Sequence, residues 1–357
     1  MRPSGRRVDR ARGAEGVPDV QVPRDDLLCE GGGSSIDRRG RHLLVAAADQ
    51  QEVLCVLHGR LGPLDRSPHT RPLRVATPAI NLDSLGRVSR PIEDYALIGD
   101  THTVALVSRD GDIDWLCVPR FDSGAVFAAL LGDESHGQWS LRPVDYVGEP
   151  QRAYEGDTLI LTTEYTTPTG RVRVVDLMPH RKNHPTLIRL VECLEGEVTM
   201  HTSLRMRFDY GWVVPWVTAI DGGLHAIAGP DALVLRTPIA LDSHNQHTEA
   251  TFTLRSGERV PFVLAWHSAT SPVPRAFDVD DAIATAVTRW ETWSAQCTYD
   301  GPYREQVMRS LLTLKALTYE PSGGIVAAPT TSLPEEIGGE RNWDYRYTWL
   351  RDASSPS

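Results

Sequence analysis

The sequence predicts a mainly β protein, an antiparallel sandwich or barrel followed by two helices. Three observations lead to this fold class. Short segments rich in β-branched and aromatic residues recur at even spacing after residue 91, and turn residues separate them. The dipeptide Asp110-Gly111 stands between two such segments, which is a hairpin signal. Sustained helical periodicity begins only beyond residue 271.

The first 90 residues are predicted to be a disordered or poorly ordered extension. Residues 1–40 combine Arg, Gly, Pro and Ser without periodicity, and residues 31–35 have the composition of a flexible linker. The arginines of the first twelve residues could contact nucleic acid. No aromatic residue lies among them, however, so a disordered extension is the favoured interpretation.

Residues 91–270 hold the predicted strands. The first two form a hairpin, and a short helix is expected at residues 123–131. Turns are expected at residues 168–170 and at Glu195-Gly196. The predicted strands are residues 101–108, 113–118, 138–142, 158–166, 171–177, 186–194, 197–207, 232–236, 251–255 and 259–266.

Two helices are predicted after the strands. A linker helix lies within residues 271–300, over residues 278–293, and Asp278 is placed to cap its first turn. Gly301 and Pro302 end this helix, and a second helix covers residues 303–319. Because the apolar residues of the second helix spread well round its axis, we expect it to be buried on more than one side.

Bulk composition bounds the functional class. The chain has 357 residues, of which 41% are hydrophobic and 24% charged, as in ordinary globular proteins. There is no apolar run of about 18 residues and no secretory signal pattern, so a cytoplasmic protein without membrane contact is expected. The net charge of −10 argues against nucleic acid as a partner.

No metal or other cofactor is expected from the sequence. The five cysteines are far apart, which suggests neither a disulfide framework nor a zinc site. His180 and His184 are four residues apart, but the prolines around them oppose a helix that would present both. His244 and His247 are three apart in a segment rich in Ser, Asn and Gln, where solvated loop histidines are the favoured interpretation.

The most unusual stretch is residues 341–352. It contains four aromatic rings, three arginines and two aspartates. Aromatic faces beside charged hydrogen-bonding groups suit a sugar ring, which offers apolar C–H faces and a rim of hydroxyls. The same composition also occurs in surface ion-pair clusters around a half-buried Trp, and composition alone leaves both interpretations open.

Four motifs in the chain resemble glycoside hydrolase family 15. They are residues 91–100, 110–115, 329–335 and 341–352. The resemblance extends from about residue 91 to Ser354. The family contains glucoamylases and bacterial trehalase-like enzymes, and the trehalase-like branch is the more similar.

The resemblance implies a domain organisation. It places a large β-sandwich domain at residues 91–270, the linker helix at residues 271–300, and the start of an (α/α)6 catalytic barrel at residues 301–357. The sequence resembles the family no further than Ser354, which predicts a catalytic domain truncated early. The barrel helix at residues 303–319 would then lack its neighbours and expose apolar surface, which predicts self-association.

The resemblance also implies a sugar subsite. Arg351 and Asp352 would bind the hydroxyls of the non-reducing glucose. Trp343, Tyr347 and Trp349 would form the walls or stacking surfaces of the subsite.

No catalytic residue is predicted within this chain. Members of the family are inverting glycosidases, which need two carboxyl groups about 6.5–9.5 Å apart. The resemblance places both on glutamates beyond Ser357. Glu335 and Glu336 are adjacent and too close, while Asp344 and Asp352 are expected to be hydrogen-bonded and therefore ionised.

The sequence therefore predicts part of an inverting α-glucosidic hydrolase. Trehalose is the first choice of substrate, and maltose or a related α-glucan is the second. The chain alone is predicted to be inactive. The alternative is a non-catalytic β-sandwich module that binds carbohydrate or acts in assembly.

Overall fold

The structure is a computed structural model that describes residues 90–336 and 339–350. The predicted extension at residues 1–90 therefore lies, but for its last residue, outside the described residues, as do Arg351 and Asp352. Within the described part, most of the regular structure is antiparallel β-sheet. The mainly β fold class is thus confirmed.

Fifteen of the strands form one hydrogen-bonded assembly. In chain order they are β1 (Ala96–Gly99), β2 (Val104–Val107), β3 (Ile113–Cys117), β4 (Ala125–Phe127), β5 (Gln138–Pro143), β6 (Gln151–Tyr154), β7 (Leu161–Thr167), β8 (Gly170–Leu177), β9 (Thr186–Arg205), β10 (Trp216–Ile220), β11 (Gly223–Ala228), β12 (Asp231–Arg236), β13 (Asp242–His244), β14 (His247–Arg255) and β15 (Arg259–Ser268).

The long strand β9 belongs to two sheets. Its first half pairs with β8 and β15, and its second half pairs with β5 and β14. Aromatic side chains of the two sheets meet in one core: Phe262 of one sheet contacts Trp139 and Phe252 of the other, with ring centroids 6.3 and 5.6 Å apart. The assembly is therefore a β-sandwich whose layers share a strand.

The predicted turn at Glu195-Gly196 is wrong, because the chain continues there as a single strand. Gly196 has a φ of +72°, a conformation that a residue with a Cβ rarely adopts. A Cβ at this position would also collide with the carbonyl oxygen of Thr169. The pairing register shifts between Arg171 and Val172, opposite this point. Gly196 thus bends β9 from one sheet into the other.

The predicted helix at residues 123–131 is also wrong. The chain forms the short strand β4 followed by a 3-10 turn, Ala129–Leu131. Phe127 of β4 lies opposite Leu116 of β3 and is fully buried. These nine residues are compatible with a helix when taken alone. The strand forms instead because pairing with β3 buries the ring of Phe127.

A third difference concerns His244 and His247, which do not lie in an irregular loop. They end and begin the two strands of the β13–β14 hairpin, and they lie opposite each other. Asn245 and Gln246 form the two-residue turn with φ of 46° and 65°. Two successive positive φ values are those of a type I′ turn, which Asn favours.

Both predicted helices are confirmed. Helix α1 is Val279–Ser294, and Asp278 caps it by accepting hydrogen bonds from the amides of Asp280 and Asp281. Helix α2 is Arg304–Leu317. It buries one stripe, Met308, Leu312 and Ala316, against Leu159 and Trp290, whereas Leu314 is half exposed. No described helix is long and apolar enough to span a membrane.

Candidate functional site

The candidate site is the aromatic segment, which we define as residues 341–350. Four short strands precede it or belong to it: β16 (Thr318–Tyr319), β17 (Gly324–Ile325), β18 (Thr331–Pro334) and β19 (Asn342–Asp344). Strands β18 and β19 pair. The amides of Ala327 and Ala328 donate to the carbonyls of Tyr347 and Tyr345, at 3.1 and 2.9 Å. The segment therefore lies along residues 327–334.

A buried tryptophan fixes this unit to the sandwich. Trp115 of β3 is fully buried, and its indole Nε1 donates to the carbonyl of Pro329 at 2.8 Å. Both residues belong to motifs that carry the sequence resemblance. These two motifs are more than 200 residues apart in the chain, and this hydrogen bond joins them, so each helps to position the other.

Arg346 anchors the aromatic segment. Its guanidinium binds both carboxylate oxygens of Asp344, at 2.9 and 2.7 Å, and donates to the carbonyl of Ser123 at 2.8 Å. The side chain is only 7% exposed and also lies over the ring of Tyr210. The hydrogen bond from Arg346 holds the pKa of Asp344 below its ordinary value, so Asp344 is ionised at neutral pH, as predicted.

Two of the three predicted stacking aromatics are exposed. Trp343 and Tyr347 are each 51% exposed. The indole Nε1 of Trp343 donates to Glu335 at 2.9 Å, which fixes one edge of the ring. Trp349 instead stacks on Tyr345, with ring centroids 5.7 Å apart and an interplanar angle of 10°. The segment thus presents two aromatic faces to solvent.

Sequence reasoning missed the role of Arg346, which it counted only as one of three arginines. A signal was nevertheless present. Asp344 and Arg346 are two residues apart, and such residues share a side of an extended chain. The carbonyls of Phe121 and Ser123, which accept hydrogen bonds from Arg346, are more than 200 residues away and leave no local pattern.

One described carboxyl group has a pKa that is raised, that of Asp114, and burial is the main cause. Its two oxygens accept hydrogen bonds from Tyr95 and Gln138, each at 2.7 Å. The group is buried and both oxygens are occupied. This arrangement suits structural support of β3 rather than proton transfer to a substrate.

Two clefts of about 910 and 790 Å³ lie beside helix α1. Neither lining includes a residue of the aromatic segment. The rings of Trp343 and Tyr347, each about half exposed, instead offer an open aromatic surface. Such a surface encloses less of a ligand than a typical small-molecule pocket does.

The chain matches two known families in sequence. Residues 84–285 match the family described as "Trehalase-like, N-terminal", and residues 301–355 match "Glycosyl hydrolases family 15". The chain is 35% identical over 321 residues to a trehalase of Mycolicibacterium smegmatis, covering 81% of this chain and 48% of the relative. It is 36% identical over 293 residues to a trehalase of Mycobacterium tuberculosis, covering 74% and 43%.

Among solved structures, a bacterial glucoamylase complexed with acarbose has a similar fold. The TM-score is 0.53 at 13% sequence identity, and the match covers 75% of this chain and 46% of the glucoamylase. At that identity the similarity concerns the fold alone. The chain spans about half the length of the curated relatives it matches.

Proposed function

The chain belongs to the trehalase-like family of glycosyl hydrolases family 15, and from this premise we propose that it serves the inverting hydrolysis of α-linked glucose saccharides. Trehalose is the first choice of substrate, because the matched relatives are trehalases. Maltose or a related α-glucan is the second. The supporting observation is the aromatic segment, held by Arg346 within the family 15 match.

The proposed subsite consists of five residues with different roles. Trp343 and Tyr347 offer exposed aromatic faces on which the C–H face of a glucose ring stacks. Trp349 stacks on Tyr345, which positions its ring within the segment. We assign the hydroxyl contacts to Arg351 and Asp352, as the family resemblance implies. Charged hydrogen bonds of this kind fix the orientation of a sugar.

We propose that the 357-residue chain alone does not hydrolyse these sugars. Asp344 is ionised by its pairing with Arg346, and Glu335 is held by Trp343. Neither is arranged as the protonated acid that inversion requires. Incubation with trehalose and with maltose should therefore release no glucose above a blank, whereas an active trehalase serves as the positive control. Glucose release would place an acid and a base in the chain, and Glu335→Gln and Asp344→Asn would be the first variants to assay.

Replacing Trp343 with alanine should weaken saccharide binding about 3- to 10-fold, the range expected for loss of one aromatic contact. Titration calorimetry with trehalose, or ligand-observed NMR where binding is weak, measures the change. Trp212→Ala is the matched control, since Trp212 is 86% exposed and lies outside the aromatic segment. Equal affinities for the Trp343 variant and the unmodified chain would contradict the proposed subsite.

A second candidate function is a non-catalytic β-sandwich module that binds carbohydrate or acts in assembly. The observation in its favour is a pair of exposed tryptophans, Trp212 and Trp216, at 86% and 76% exposure. Trp216 begins β10, the end strand of its sheet. If Trp212→Ala and Trp216→Ala abolish saccharide binding and Trp343→Ala does not, the sandwich is the binding module.

We also propose a cytoplasmic location and self-association through helix α2. Tyr303 and Leu314 are exposed on or beside this helix, and burying them against a second copy would remove apolar surface from water. Gel filtration should show an associated species that Leu314→Glu converts to monomer. A single monomer peak for the unmodified chain would count against association.

A further inference from the structure

The β13–β14 hairpin places four metal-binding side chains on one face. In its register, Asp242 lies opposite Glu249, and His244 lies opposite His247. Residues two apart on a strand share a face, and so do directly opposed residues. The other face carries Ser243 and Thr248, whose hydroxyls are 2.9 Å apart. A tight turn therefore gathers two imidazoles and two carboxylates from only eight residues.

The distances among these groups fit a metal coordination sphere as well as the hydrogen bond between His247 and Glu249 that the structure shows. Nε2 of His244 lies 3.4 Å from one oxygen of Glu249, and Nε2 of His247 lies 3.2 Å from the other. The candidate ligand atoms of all three residues lie within 4.8 Å of one another. A tetrahedral zinc ion with bonds of about 2.0–2.1 Å separates its ligand atoms by about 3.3 Å. Both His–Glu distances agree with that separation.

The fourth side chain, Asp242, lies beside His244. Nδ1 of His244 faces a carboxylate oxygen of Asp242 at 3.5 Å. A carboxylate beside Nδ1 favours the tautomer that leaves the lone pair on Nε2, the nitrogen directed at Glu249. Carboxylate, histidine and metal arranged in this order are common in zinc sites. This feature is independent of the distances to Glu249.

The turn that carries the site is held in place by the sandwich. Arg207 is buried, and its guanidinium donates to the carbonyl of Gln246 at 3.0 Å. Strand β14 pairs along its length with β9. His247 is largely buried, whereas His244 and Glu249 are about one-third to two-fifths exposed. The candidate ligands thus lie together on a hairpin whose turn and second strand are held by the sandwich, and they are open to solvent on one side.

We propose that His244, His247 and Glu249 bind one divalent transition-metal ion, with Zn²⁺ the best fit. Two imidazoles and one carboxylate are a ligand set that zinc uses, and the open side leaves a fourth position for water. Ca²⁺ and Mg²⁺ prefer all-oxygen ligands and fit this set poorly. The bound ion would cross-link the two strands at the hairpin tip. This site is independent of the saccharide proposal.

The test is titration of the chelator-treated, metal-free chain with ZnCl₂, followed by calorimetry and thermal unfolding. We expect one equivalent to bind and the unfolding temperature to rise. His247→Asn and Glu249→Gln should each lower the affinity by more than about 10-fold, and Asp242→Asn by about 10-fold, as expected for an outer carboxylate. Co²⁺ in place of Zn²⁺ should give the intense visible absorption of a tetrahedral site.

His184→Asn is the matched control, because it removes an imidazole that lies outside the hairpin. It should leave the zinc affinity unchanged. Thermal unfolding of each variant in EDTA shows whether it folds like the unmodified chain. Binding that is unchanged in His247→Asn, binding at several equivalents without saturation at one, or no binding would each overturn the proposal and leave a surface ion-pair cluster.

Discussion

Replacing Arg189 with leucine should lower the free energy of unfolding by about 3–5 kcal/mol. The guanidinium of Arg189 lies in the core and pairs with Asp176 at 2.7 Å, both side chains being almost wholly inaccessible to solvent. It also donates to the carbonyls of Trp139 and Gly111. Leucine would leave the Asp176 carboxylate buried without its cation. Urea denaturation followed by tryptophan fluorescence measures the loss.

Arg173→Leu is the matched control for this variant. Arg173 lies in β8 next to β9 and pairs with Glu164, but both side chains are about one-third exposed. Its loss should lower the free energy of unfolding by less than about 1 kcal/mol. The double variant Arg189→Leu with Asp176→Leu should recover much of the stability lost in the single variant, since no charge is left unpaired. Equal losses for Arg173→Leu and Arg189→Leu would show that burial of the unpaired carboxylate does not determine the size of the loss.

Local patterns predicted the elements whose structure is decided locally. The hairpin of β2 and β3 follows from a D-G turn between two apolar runs, and its pairing is observed. Helix α1 follows from its 3.6-residue period and from the capping geometry of Asp278. In each case the hydrogen bonds join residues close in sequence, so a short stretch of sequence is enough to predict the element.

The wrong secondary-structure predictions occur where residues distant in sequence determine the local conformation. Gly196 is compatible with a turn or with a bend, and only the strands on either side of β9 determine which. Residues 125–127 become a strand because β3 pairs with them. Propensity is a weak guide at such positions, because burial against a neighbour outweighs a few tenths of a kcal/mol of local preference.

The candidate site shows the same division. Composition left a sugar site and a surface ion-pair cluster open, and the family resemblance named three stacking aromatics, of which Trp343 and Tyr347 are exposed. Composition could not distinguish an arginine that holds the segment from one that contacts ligand. Arg346 can be buried because the carbonyls of Phe121 and Ser123 accept its hydrogen bonds. Likewise, the spacing of His244 and His247 does not by itself bring the two imidazoles together; the type I′ turn does so by placing the residues opposite each other.

Replacing Arg346 with methionine should release the aromatic segment while the sandwich stays folded. Methionine keeps much of the apolar contact with Tyr210, but it removes the cation from Asp344, which retains only the backbone amide of residue 346 as a donor from this position. It also removes the guanidinium donor from the carbonyls of Phe121 and Ser123. Because Asp344 is one-third exposed and water can reach it, we expect a loss near 2–3 kcal/mol, below the full range for buried pairs. Such a loss corresponds to a roughly 30- to 150-fold increase in local opening.

Hydrogen exchange can locate this opening, because the amides of Ala327 and Ala328 donate to the aromatic segment and should lose their protection together. Amides in β9 should exchange as before. Arg341→Met is the matched control, since Arg341 is exposed and contributes its backbone carbonyl, which the substitution retains. If Arg346→Met leaves the exchange at Ala327 and Ala328 unchanged, Arg346 is not the anchor. If exchange rises and trehalose binding falls in parallel, the anchor and the proposed subsite are linked, because the exposed rings of Trp343 and Tyr347 then depend on Arg346 for their position.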